Sequence, residues 1–139
     1  MEFIVENCSS PGAQFSKNTN DVMIKISKWI ETNNAPTLKF IEFRRRLENE
    51  AKINDNNARN IYPFLKNGGL VNYLPGEELD TGTFFTKRGQ AYLVALKTRE
   101  QIENSDYSKA QKTQALKEVD TLLSSIIYDS LKLLVENKE

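Results

Sequence analysis

The sequence predicts a mainly α fold with one small β-hairpin, an α+β chain that ends in a long helix, and three observations carry this. Apolar residues recur at helical spacing in two short segments between Phe40 and Leu65. Asn67-Gly68-Gly69 then stops the helical pattern, and Leu70-Val71-Asn72-Tyr73-Leu74 alternates as a strand with Thr83-Phe84-Phe85-Thr86 as its partner. From Tyr107 almost to the end, apolar residues keep a near-heptad spacing.

Composition bounds the rest. With 139 residues and 39% hydrophobic content the chain has material for one small core, so a single domain with one appended element is expected. We divide it into an N-terminal arm over 1–20, a domain over 21–104 and a C-terminal helix over 105–139. Met1 to Glu6 holds three consecutive apolar residues between two acids, too short and wrongly charged for a signal peptide. No later apolar run approaches the ~20 residues that span a bilayer. A soluble, cytoplasmic protein with no membrane partner is expected.

The one cysteine, Cys8, permits no internal disulfide, fits a reducing compartment and sits beside a loop-like Ser9-Ser10-Pro11-Gly12. With no histidine, neither a Ser-His-Asp nor a Cys-His pair can form, and with one cysteine no ordinary structural zinc site can either. No cofactor and no metal are expected. Carboxylate chemistry remains, and Glu50-Ala51-Lys52 with Asp21 upstream is the one nuclease-like arrangement. It lies at a helix end rather than on a strand, so a solvated helix end is the better reading and no enzyme is expected.

The arm, rich in Asn, Ser, Gly and Pro, has a short strand pattern at Phe3 to Val5, and Phe3 or Phe15 is the residue to dock it. The first helix starts at Asp21 with Asn20 as N-cap. Val22, Met23, Ile26, Trp29 and Ile30 share one face, so Trp29 reads as core. Asn33-Asn34-Ala35-Pro36 ends it, and Thr37-Leu38-Lys39 is a one-rung strand. The second helix spans Phe40 to Lys52 with Phe40, Phe43, Leu47 and Ala51 inward. Arg44-Arg45-Arg46 lies largely outward, but at ~100° per residue the three cannot all meet one ligand.

Asn54 or Asp55 caps a third helix over Asp55 to Lys66, whose inward stripe is Ala58, Ile61, Tyr62 and Leu65. Asn56, Asn57, Arg59, Asn60 and Lys66 are left outside. Pro63 removes the hydrogen bond to the Arg59 carbonyl and predicts a bend near Asn60 rather than a break. After the helix stop, Pro75 to Gly82 forms the hairpin tip, with the acids Glu77, Glu78 and Asp80. Thr86 caps a fourth helix, Lys87 to Glu103, whose first turn carries Lys87 and Arg88 against the helix dipole. Asn104-Ser105-Asp106 interrupts, and a last helix follows.

Asn67-Gly68-Gly69-Leu70-Val71, the hairpin and Phe85-Thr86-Lys87-Arg88-Gly89-Gln90-Ala91-Tyr92-Leu93 resemble the end of the recognition helix, the wing and the T-x-x-G start of the next helix in winged-helix regulators. Bacterial MarR-like and PadR-like repressors share this outline, which covers about 60 residues and belongs to a superfamily. The resemblance implies a winged helix-turn-helix with its recognition helix at Asp55 to Lys66 and double-stranded DNA as partner.

The residues suit that partner. Asn bonds an adenine edge in two places and Arg a guanine edge likewise, so Asn56, Asn57, Arg59 and Asn60 are the candidate base readers. Arg44, Arg45, Lys66, Lys87 and Arg88 are the candidate phosphate contacts. Residues 1–36 carry three bases and four acids, 37–96 nine and seven, and 97–139 seven and eight. Without Glu77, Glu78 and Asp80 the middle segment has nine bases against four acids, so positive charge gathers on helices two and three while the acidic tip is repelled by phosphate.

A last helix of about thirty residues would be ~45 Å long, more than the head can cover. Leu116, Val119, Leu123, Ile126 and Leu133 are therefore the candidate stripe of a homodimer, the alternative being that the helix folds back over the first helix and the arm. The expected function is a sequence-specific DNA-binding protein, a dimeric transcriptional regulator or mobile-element accessory factor. The competing reading is a winged-helix protein-interaction module, favoured by net charge zero and the acidic tip.

Overall fold

Ser16 begins the first helix, α1 (Lys17–Thr32), by accepting a hydrogen bond on its hydroxyl from the Thr19 N–H at 3.3 Å. A computed structural model of the chain describes residues 14–34, 36–74 and 76–136, without the side chains of Asp55, Asn57 and Ala58. The strand pattern at Phe3 to Val5 and Cys8 lie outside the described residues. The sequence reading placed the start of α1 at Asp21. The helix begins a turn earlier because Thr19 extends the buried stripe of Val22, Met23, Ile26 and Trp29 backwards. Asn20, expected to cap, instead accepts from the Tyr92 hydroxyl at 2.5 Å.

After α1 the chain forms β1 (Thr37–Lys39), α2 (Phe40–Glu50) and α3 (Asp55–Asn67). α2 stops short of the expected Lys52, which adopts a left-handed φ of 59°. Asn54 caps α3 by accepting from the Asn56 N–H at 2.8 Å, and the helix runs unbroken through the exposed Pro63. Its last turn is closed by the Gly68 N–H on the Phe64 carbonyl and the Leu70 N–H on the Leu65 carbonyl, both at 2.9 Å. Gly69 then takes φ +74° in a crowded place: a Cβ there would lie 2.5 Å from Arg88 Nη1 and 2.7 Å from Leu133 Cδ1.

The hairpin differs from its expected form. Val71 and Phe85 make a single antiparallel bridge, and the supposed tip turns back as β2 (Glu78–Asp80). β2 pairs antiparallel with β1, setting Thr37 opposite Asp80, Leu38 opposite Leu79 and Lys39 opposite Glu78. Leu79 explains this: it is buried, and a solvated tip would leave it in water. A 3-10 turn over Thr81–Thr83 follows, capped by Asp80 Oδ1 accepting from the Gly82 N–H at 3.0 Å.

α4 (Lys87–Glu103) starts as the T-x-x-G segment predicts. The Thr86 hydroxyl accepts from the Gly89 N–H at 3.0 Å and donates to the Gly69 carbonyl at 2.6 Å, locking the helix start to the end of α3. Gly89 is required by close approach, since a Cβ would fall 2.1 Å from the Leu70 carbonyl oxygen. α5 (Lys109–Glu136) folds back along α4, held by Arg99 Nε donating to Asp120 Oδ1 at 2.9 Å and Lys112 Nζ to the Glu103 carbonyl at 3.0 Å. Its far end packs on α3, where Ser130 and Leu134 approach Gly68. The intramolecular partners of α5 are thus chiefly α4 and α3 rather than the first helix. The resulting molecule is mainly helical with one small two-stranded antiparallel sheet. Among the described residues no helix is long and apolar enough to cross a membrane.

Candidate nucleic-acid interface

α3 is buried on one side and bare on the other. Ile61, Tyr62, Phe64 and Leu65 are in the core, while Asn56, Asn60, Pro63 and Asn67 recur at spacings of four, three and four on the exposed side, with Arg59 beside Asn60. Three of the four candidate base readers, Asn56, Arg59 and Asn60, therefore share one accessible face. Asn57 belongs to the same helix, but its side chain lies outside the described residues. Asn54 takes over the capping, which leaves the Asn56 side chain exposed.

The three arginines of α2 diverge, as their helical spacing demands. Arg45 is exposed, Arg44 is half-buried over the Tyr62 ring at 5.4 Å, and Arg46 lies over the Trp29 ring at 4.8 Å. Lys66, at the far end of α3, sits over Tyr73 at 5.2 Å. Burial raises the Tyr73 phenol above its usual range, and the Arg44 charge partly offsets that. Lys66 therefore sits on a tyrosine that sequence reasoning passed over, while Arg44, from the neighbouring helix, lies over Tyr62. Tyr73 is placed by stacking on Phe40, with ring centroids 4.0 Å apart and planes 6° apart. Arg88 Nη1 donates to the Gly68 carbonyl at 3.5 Å, two residues after Lys66 in the chain, and Lys87 is exposed.

Acids border this cationic region. Glu77, Glu78 and Asp80 line a concavity of 570 Å³ together with Lys66 and Tyr73. Glu78 is placed opposite Lys39 in the sheet, and Asp80 is spent on its local cap.

No family model, curated protein or solved structure matches this chain.

Glu50, the acid of the nuclease-like arrangement, has a structural occupation. Its Oε1 accepts from Trp29 Nε1 at 2.9 Å, and its Oε2 accepts from Arg46 Nε at 2.9 Å. Those two donors, Arg46 first, hold the carboxyl below its usual range, and Glu50 in turn raises the Arg46 guanidinium. Arg46 also donates to Asn33 Oδ1 at 3.2 Å, closing a cluster that joins α1 to α2. The spacing of Arg46 and Glu50 was visible in the sequence, but Trp29 is 21 residues away.

The stripe expected to join two copies is largely used within the chain. Leu123 is fully buried and Ile126 is 7% exposed, both in this chain's own core, while Leu116, Val119 and Leu133 are half-buried. Leu133 is the residue pressed against Gly69.

Proposed function

We propose that the chain is a winged helix-turn-helix protein that binds double-stranded DNA with sequence preference, as a transcriptional regulator or mobile-element accessory factor. The observation that carries this reading is the exposed stripe of Asn56, Arg59 and Asn60 on a helix whose opposite side is anchored in the core. Side chains of these two types form paired hydrogen bonds with adenine and guanine edges, and a rigid helix is the element that fits a major groove. Two further facts support it. The strand between α1 and α2 pairs with the chain that follows α3, as the sheet of a winged helix would. Arg44 and Lys66 each lie over a tyrosine, Tyr62 and Tyr73, and are cations available to flanking phosphates.

Net charge zero limits nonspecific attraction, so tight binding depends on a preferred sequence. Selection of bound sites from a random duplex pool tests the reading. Enrichment of one motif is expected, and a pool that stays random after repeated rounds would overturn it.

A protein-docking module is the second reading, favoured by Glu77, Glu78 and Asp80 lying beside Lys66. Retention on immobilised duplex DNA separates the two. Retention at low salt that is lost near about 200 mM supports DNA binding. No retention at low salt supports docking.

A further inference from the structure

Asn56, Asn60, Pro63 and Asn67 stand in one line down the exposed side of α3. At ~100° per residue the first three fall within about 60° of one another, while Arg59 stands off to one side. The line carries no charge. Among the described side chains of α3 none is a carboxylate, the group that accepts from the cytosine amino group. Pro63 is the one apolar member of the line. Proline is the costliest residue inside a helix, and its ring here is exposed, so no packing within the chain offsets that cost.

We infer that α3 selects a core of A·T base pairs, with Pro63 as the residue that recognises thymine by its 5-methyl group. This rests on the DNA reading proposed above and narrows it to a class of site. In the major groove the amide of Asn pairs with adenine N6 and N7, and the methyl is the apolar group that marks a thymine. A pyrrolidine ring has neither a donor nor an acceptor, so it has nothing to offer the polar edges of guanine and cytosine, and it fits the methyl. At ~1.5 Å per residue Asn56 and Asn60 are ~6 Å apart along the helix, and Asn60 and Pro63 ~4.5 Å. Successive bases rise about 3.4 Å, so the three side chains meet base pairs about two steps and then about one step apart. A span of about four base pairs is thus read by two adenine contacts and one thymine contact, and the guanine that suits Arg59 falls at its margin.

Selection from a random duplex pool with the full chain, followed by titration of the winning duplex, tests it. The expected motif holds A·T pairs at three of about four neighbouring positions. In the winning duplex, replacing one thymine by deoxyuridine deletes only the 5-methyl group. At the position facing Pro63 that change is expected to weaken binding about fourfold, the worth of one buried methyl, and to leave binding by Pro63→Ser unaltered. Serine is easier on a helix than proline, so this variant folds. Asn56→Ala and Asn60→Ala are each expected to relax the preference for one adenine about tenfold. A motif without that run of A·T pairs would overturn the inference and leave the DNA reading standing, while a pool that stays random would overturn both. Deoxyuridine that is bound as tightly as thymine at every position, or a Pro63→Ser variant that still discriminates between the two, would overturn the inference equally.

Discussion

The Tyr92 hydroxyl donates to Asn20 Oδ1 at 2.5 Å and accepts from the Phe15 N–H at 2.9 Å, so one phenol on α4 holds both α1 and the segment that precedes it. The Phe15 ring packs against it at 4.8 Å and meets Phe64 at 5.3 Å. Tyr92→Phe keeps the ring but leaves a buried N–H and an Asn oxygen without their partner, at a cost of about 1–3 kcal/mol in denaturant unfolding. Burial also raises the phenol well above its ordinary value of 10.0. A raised acid is neutral in the folded state. Its contribution is therefore complete below pH 10 and is lost as pH rises through the folded-state value. The decline of stability above pH 10 is expected to be shallower in Tyr92→Phe than in the wild type, and equal slopes would refute the link.

Trp29 and Glu50 offer an optical readout of the α1 to α2 contact. The chain has one tryptophan, so its emission reports this site alone. Glu50 is held below the usual carboxylate range by Arg46 and Trp29, and its contribution is present above that range and lost as pH falls through the depressed value. A fluorescence transition in acid, with a midpoint below that of an ordinary Glu, is expected. It disappears in Glu50→Gln. A transition that persists unchanged in the variant would assign it to another group.

How legible these contacts were depends on their range along the chain. The bounds of α4 could be read because Thr86 and Gly89 are three residues apart and the cap is local. Asn54 at the start of α3 was readable for the same reason. β2 was not, because its partner is 41 residues away in register and only the isolated Leu79 hinted that the segment turns inward. α5 was recognisable as a helix from its period, but period names no partner, and the same apolar stripe serves a dimer or an intramolecular fold equally well. Of the candidate site, the exposed face of α3 was legible from periodicity. The placement of Tyr73 under Lys66 was hidden, since it arises from the stacking of Tyr73 on Phe40 across 33 residues.

Two glycines separate steric from conformational demand. Gly89→Ala places a methyl 2.1 Å from the Leu70 carbonyl oxygen, a backbone atom that cannot swing aside. A loss of about 3 kcal/mol is expected as α4 is pushed off the end of α3. Gly76 has φ +85° and nothing within 4 Å of a Cβ, so Gly76→Ala carries only the cost of a left-handed alanine, about 1 kcal/mol. Thermal unfolding of both variants checks the order, and equal losses would contradict the crowding assigned to Gly89.

The DNA reading makes Arg59 and Arg45 fail in different ways. Arg59 lies on the exposed face of α3 with Asn56 and Asn60, where a base edge would be met, whereas Arg45 projects from α2, where only phosphate would be within reach. On a selected site, Arg59→Ala is expected to cost ~1–3 kcal/mol and to relax preference at one position, while binding to unrelated duplex changes little. Arg45→Ala is expected to weaken all sequences alike and to flatten the dependence of log affinity on log salt by about 1. Titrations on matched and scrambled duplexes at several salt concentrations distinguish these. Equal losses on both duplexes for Arg59→Ala would remove it from base reading and leave α3 as a phosphate contact at most.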